Sequence, residues 1–215
     1  MLIAISGAQG SGKSTVLNEL KKVGANIVER KTARSVLAEF PVNTLDEIYA
    51  DPDLATVWQD KILERKMADE FEAYKSEDLW YTERTYADLF TYACMAVGKN
   101  NAKSEWLDEY YLKCKSAQNN FYLYSYFLMH HGCFGNVNDG VRGINQHYAS
   151  MIGVTIQEFL EQMVGSTKYM CCDDMLISSR VKLITHTSIS VFYSERVTRE
   201  AGLCGVTGDR TLENI

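Results

Sequence analysis

Residues 7–14, Gly7-Ala8-Gln9-Gly10-Ser11-Gly12-Lys13-Ser14, follow directly on an apolar run, Leu2–Ser6, and open into residues 13–23, where Val16, Leu17 and Leu20 recur at helical spacing. A strand, a glycine-rich loop and a helix in that order leave few folds open. The segment has the form GxxxxGK[ST], in which glycines let successive backbone N–H groups curl around an anion. The helix that follows turns its unpaired N–H groups and the positive end of its dipole toward the same anion. This predicts a site for ATP with Mg²⁺. Gly7, Gln9, Gly10, Ser11 and Gly12 form the cradle, Lys13 bridges the β- and γ-phosphates, Ser14 places its hydroxyl on the metal, and Thr15 packs at the helix N-terminus. Kinases, ATPases, GTPases and motors all use such a loop, so the phosphate acceptor must be argued from other residues.

Elsewhere strand-like and helix-like pieces alternate. Strands are expected at residues 25–29, 79–82, 121–128 and 189–193. Helices are expected at 34–39, 86–97, 104–115 and 146–163, and both prolines, Pro41 and Pro52, are placed in a loop. In residues 56–75, Leu63, Met67, Phe71 and Tyr74 recur at spacings of four, four and three, which predicts a long amphipathic helix. On it Asp60, Lys61, Glu64, Arg65 and Lys66 read as a solvated face. Such alternation implies an α/β fold with a parallel sheet between helical layers and ligands beyond the strands' carboxyl ends. One domain over residues 1–215 suffices, with a lid near 129–145.

Two charged groups fall at that edge. Glu29 and Arg30 end the second strand, with Arg34 one helical turn on. A carboxylate there can take the proton of an attacking hydroxyl while arginines hold phosphate or developing charge, although an exposed ion pair fits the same residues. Glu83 and Arg84 end the third strand, where an acid reaches Mg²⁺ directly or through water, and Asp88 lies nearby on the next helix. Gln59 borders the apolar face of the long helix and can pair with a base edge or with backbone.

Several of these segments resemble the P-loop kinases, in particular the deoxynucleoside kinases and the ATP-binding group related to ribosylnicotinamide kinase domains. Thr82-Glu83-Arg84-Thr85-Tyr86-Ala87-Asp88 is similar to the ERS-type motif of the former, with Thr85 where they have serine, and Val28-Glu29-Arg30 with Arg34 resembles their glutamate-then-arginine segment. Asn138-Asp139-Gly140-Val141-Arg142 resembles the Asp-Gly-x-Arg element of the latter, and Val57-Trp58-Gln59 the helix that carries a base-recognising glutamine. The resemblance covers roughly residues 1–165 in pieces. It implies a P-loop NTPase three-layer sandwich. It also implies Lys13, Glu29, Arg84 and Arg142 as catalytic residues, Ser14 and Glu83 as metal ligands, and Arg30, Arg34, Gln59 and Asp88 toward a nucleoside-like acceptor. The arginine-rich lid sequence of the deoxynucleoside kinases is missing, and small phage-encoded P-loop proteins also look like this, so the acceptor class stays open. Ser194-Glu195-Arg196, after the expected last strand, offers Arg196 to the adenine or phosphates or simply to the surface.

A net charge of −6 gives no basic footprint for DNA, although Lys99, Lys103, Lys113 and Lys115 can line a groove for a hydroxymethylated base. A nucleotide-dependent ATPase or switch is the other reading. Trp58, Trp80, Trp106 and the aromatics of residues 121–127 fit core packing better than a stacking platform. The six cysteines form no CxxC pair and read as reduced thiols of a cytoplasmic protein. Adjacent Cys171 and Cys172 are poor zinc ligands, and His130 and His131 lack a third partner at suitable spacing. No long apolar span suggests a membrane segment, and a homodimer is compatible with the sequence without being specified by it.

Overall fold

The computed structural model describes residues 1–29, 36–42, 44–129 and 145–200, so Arg30, Arg34, His130, His131, Arg142 and the expected lid lie outside the described residues. The elements run β1 (Leu2–Ser6), α1 (Lys13–Lys22), β2 (Asn26–Ile27), α2 (Leu45–Ala50), α3 (Pro52–Lys75), β3 (Trp80–Glu83), α4 (Tyr86–Val97), α5 (Ser104–Phe121), β4 (Tyr122–Leu128), α6 (Gln146–Val164), β5 (Tyr169–Cys172) and α7 (Ile177–Glu200), with a 3₁₀ turn at Asn101–Lys103.

Every strand pairing is parallel and the order is β2-β3-β1-β4-β5. The central strand β1 is buried along its whole length, and its period-two alternation divides the interior. Leu2 and Ala4 enter a cluster with side chains of α3, α4, α5 and α6. Ile3 and Ile5 enter another with Val16, Leu17 and Leu20 of α1 and Ile184 of α7. This is the three-layer α/β sandwich with a central parallel sheet. A third cluster around Val36, Ile48, Ala55, Trp58 and Val97 buries Trp58, while Tyr122, Tyr126 and Phe127 are buried in the first two, so these aromatics are core.

Four sequence expectations are corrected. Residues 189–193 are not a strand but lie inside α7, and the sheet ends on Tyr169–Cys172 instead. Ile-Ser-Val-Phe-Tyr has β-rich composition, yet helical phase puts Arg180, Ile184 and Ser188 on one inward stripe, with Ile189 and Tyr193 exposed. Pro52 belongs to no loop: it occupies the first turn of α3, where its missing N–H costs nothing, and Asp51 caps the helix through Asp53 N and Leu54 N at 2.9 and 3.3 Å. Helix α5 runs on past residue 115 to Phe121, because Cys114, Ala117, Gln118 and Phe121 continue its buried face. Lys66 is not solvated but fully buried. The inward stripe of α3 is Gln59, Leu63, Lys66, Glu70 and Ala73, while Met67, Phe71 and Tyr74 are only partly buried beside it.

Cys171 and Cys172 point to opposite faces of the sheet, one into each main cluster, so they cannot share a tetrahedral metal. Burial pushes the Cys172 thiol up to about 12 against the opposing pull of Arg180, so it stays protonated near neutral pH. Among the described residues no group of three His, Cys, Asp or Glu side chains is placed to hold a metal, and no helix is long and apolar enough to cross a membrane.

Candidate active site

The loop between β1 and α1 is built from glycines that no other residue replaces without strain. Gly7, Gly10 and Gly12 have φ of 134°, 69° and 90°, and a Cβ on Gly7 would stand 2.7 Å from the Leu128 carbonyl and 2.8 Å from Ser11 Oγ. Gly12 is the N-cap of α1 and supplies no side-chain cap, so the first-turn N–H groups stay turned to the loop's hollow. Lys13 folds over that hollow, with Nζ donating to the Gly7 and Ala8 carbonyls at 2.6 and 2.8 Å, and is buried there with Gln9 and Ser11. Ser14 and Thr15 are exposed on the first turn, Ser14 at the mouth of the site.

Parallel pairing sets the end of β3 beside the loop, with Glu83 opposite Ile5. The Ser14 hydroxyl faces both Glu83 carboxylate oxygens at 3.4 Å. Adjacent ligands of an octahedral Mg²⁺ stand about 3 Å apart, so this all-oxygen pair fits the ion with little adjustment.

Arg84 follows with φ of 68°, a left-handed conformation that a non-glycine residue holds at a cost of about 1–3 kcal/mol unless its surroundings enforce it. They do so at both ends of the residue: its N–H donates to the Ile5 carbonyl at 2.8 Å and its carbonyl accepts from Lys66 Nζ at 2.9 Å. The guanidinium lies 4.9 Å from the Tyr92 ring centroid. Burial works against its charge, but Tyr92, Glu83 and Asp88 outweigh that and hold it protonated more firmly than an ordinary arginine.

Beneath Glu83 and Arg84 sits a buried polar knot from four elements. Lys66 Nζ donates to Glu70 Oε1 at 2.5 Å and to the carbonyls of Glu83 and Arg84 at 3.2 and 2.9 Å. Glu70 also accepts from Thr82 Oγ1 at 2.6 Å and from the hydroxyls of Tyr86 and Tyr122 at 2.8 and 2.9 Å. Both charges are fully buried and multiply hydrogen-bonded, the condition under which such a pair is tolerated. The one sequence signal for it is the i,i+4 Lys66–Glu70 spacing in line with Gln59 and Leu63.

The other expected site residues are placed as follows. Asp88 closes the capping box of α4, accepting from Thr85 N and Thr85 Oγ1 at 2.8 and 2.6 Å, and takes a bond of 2.5 Å from Ser6 Oγ. It sits below the edge and supports Arg84 electrostatically. Gln59 is buried with its amide Nε2 lacking a hydrogen bond, an orphan donor of the kind that calls for an explanation. Glu29 lies two residues past β2 with its exposed carboxylate 3.1 Å from Lys21 Nζ, so it is not brought together with Lys13, Ser14 and Glu83. Arg196 is exposed on α7, and of the lysines offered to a groove Lys103 is paired with Asp53. Sequence reasoning missed Lys66, Glu70 and the buried Arg180.

Solved structures similar to this chain include the deoxyadenosine kinase of M. mycoides with bound dATP, at 18% identity and a TM-score of 0.61, covering 87% of this chain and 98% of that one. The same enzyme with bound dCTP matches at 17% and 0.61, covering 88% and 100% of the two chains. With the products dCMP and a flexible dCDP bound it matches at 19% and 0.60, over the same shares. At such identities the likeness establishes the fold. No curated protein matches the sequence. The family model described as an AAA domain matches residues 2–174, most of the chain and all five strands, and the chain belongs to that family.

Proposed function

We propose that this protein is an ATP- and Mg²⁺-dependent phosphotransferase that moves the γ-phosphate to a nucleoside, a nucleoside monophosphate or a related hydroxyl acceptor. The observation that carries the reading is the Ser14 hydroxyl facing the Glu83 carboxylate at 3.4 Å beside the buried amine of Lys13. Ser14 and Glu83 would hold Mg²⁺, which when bound would offset negative charge on the phosphates. Lys13 and the loop amides bind the phosphates, Arg84 offers a fixed positive charge beside them, and the orphan amide of Gln59 supplies a donor for a base edge. The M. mycoides enzyme named above has deoxynucleotides bound, which supports an acceptor of nucleoside type.

Incubation with γ-labelled ATP and separate pools of nucleosides, nucleoside monophosphates and hydroxymethylated DNA tests this. Label is expected on one of the first two pools. Release as inorganic phosphate alone, whatever the pool, refutes the kinase reading in favour of an ATPase or switch. Replacing Glu83 by Ala is expected to raise the Mg²⁺ needed for half-maximal turnover by about 10–100-fold. An unchanged Mg²⁺ titration removes Glu83 from the metal site.

Glu29 is proposed as the base for a hydroxyl acceptor. Its pairing with Lys21 is exposed at both ends, 63% and 84%, and pairs of that kind contribute only about 0–1 kcal/mol, so little holds the carboxylate there. Glu29→Gln is expected to lower turnover by about 10²–10⁴-fold with ATP affinity within a few fold of wild type. Turnover near wild type on a hydroxyl acceptor shows that Glu29 is not the base.

A further inference from the structure

Arg180, in the first turn of α7, is fully buried and is the largest such side chain among the described residues. Its guanidinium donates to three backbone carbonyls: Nη1 to Ser11 at 2.5 Å, Nη2 to Met129 at 3.2 Å and Nε to Asp174 at 2.5 Å. Ser11 belongs to the glycine loop after β1, Met129 follows β4 and Asp174 follows β5, so one rigid fork ties the segments leaving three neighbouring strands. The tie is prepared locally, because Asp174 Oδ1 accepts from Leu176 N at 2.8 Å and turns the chain into α7 directly below the loop.

The consequence lies in peptide geometry. The bond between Ser11 and Gly12 is planar and trans, so the Ser11 carbonyl and the Gly12 N–H point in opposite directions. By fixing the Ser11 carbonyl, Arg180 also fixes the Gly12 N–H of the same planar peptide, on the side away from the guanidinium. Without that tether the Ser11–Gly12 peptide has a glycine on its far side and little else to stop it rotating, and rotation would put a carbonyl oxygen where the anion must sit. The guanidinium also stays charged at any working pH and, being buried, adds a positive field to the loop that water screens poorly.

We propose that Arg180 is a positioning residue for the triphosphate: it sets the anion-binding form of the loop from behind, and α7 is thereby part of the nucleotide site. This rests on the phosphotransferase reading only in requiring that the loop bind nucleotide. The test is therefore made on binding. Wild type and Arg180→Lys are titrated calorimetrically with ATP, ADP and adenosine, since lysine keeps the charge but cannot span three carbonyls. ATP and ADP affinity is expected to fall about 10–100-fold, the worth of one hydrogen bond to a charged group, with adenosine unchanged. Added ethylguanidinium is expected to restore ATP binding to Arg180→Ala. Equal loss for all three ligands, or no loss, overturns the proposal. A wild type that binds no ATP overturns the nucleotide reading instead. If neither variant folds, the wild type decides: the Arg180 Nη protons should show hindered rotation by NMR both before and after pyrophosphate is added, and freely rotating signals overturn the clamp.

Discussion

Lys13→Ala is expected to leave a folded protein that transfers no measurable phosphate. The Lys13 amine bonds the buried Gly7 and Ala8 carbonyls, and truncation to alanine leaves beside them a polar hollow that water can enter to take the amine's place, so the fold is expected to survive. In the proposed phosphotransferase the same amine would exchange the Gly7 and Ala8 carbonyls for phosphate oxygens and so bring its charge to the transferring group. Removing one preorganised donor from a site of developing charge costs about 10²–10³-fold in turnover, and a full charge on the transferring group is worth more. Turnover and a thermal melt on the same preparation check this. A melt close to wild type with activity lost is the expected pair of results, whereas preserved turnover would remove the glycine loop from the chemistry.

The second large effect is on stability. Lys66→Met leaves Glu70 in the interior with three hydroxyl donors but no countercharge, and breaking a buried pair from one side typically costs about 3–5 kcal/mol. Glu70→Leu is expected to be at least as damaging, because Thr82, Tyr86 and Tyr122 lose their shared acceptor while Lys66 stays buried. Urea unfolding measures both. Lys66 also holds the carbonyls of Glu83 and Arg84, so whatever folded fraction of Lys66→Met remains should need more Mg²⁺ for half-maximal turnover. A loss below about 1 kcal/mol would mean that the pair contributes no more than a surface one.

These two effects differ in how far they could be read in advance. Lys13 sits in a motif whose geometry is made by its own neighbours: the glycines that turn the chain, the strand before and the helix after are contiguous, so the residues themselves imply the structure. The same holds for the alternation of strands and helices, and hence for a parallel sheet. The capping of α4 by Thr85 and Asp88, three residues apart, is equally local, although the sequence reading directed Asp88 toward the acceptor and not to the cap. Where local signals agreed with one another, the reading and the fold agree.

Lys66, Glu70 and Arg180 carry no such signal, because what makes a charge tolerable in the interior is the set of partners that tertiary structure brings to it. Tyr122 comes to Glu70 from 52 residues away, and the Ser11 carbonyl to Arg180 from 169. On paper Lys66 looks like its solvated neighbours, and only the rotation of α3 against the sheet separates them. The strand-rich Ile189–Tyr193 segment became helix for a similar reason: the sheet edge was filled by Tyr169–Cys172, and an inward stripe through Arg180, Ile184 and Ser188 exists only in helical phase. Glu29 shows the reverse. The sequence puts it at the end of a strand over 25–29, the strand stops at Ile27, and the direction of its side chain, toward Lys21, depends on which helix packs beside it. The phosphate loop and the layering were thus determined locally by the sequence, and tertiary packing decided which charges are buried, because a buried charge is stabilised only by partners that the chain brings from elsewhere.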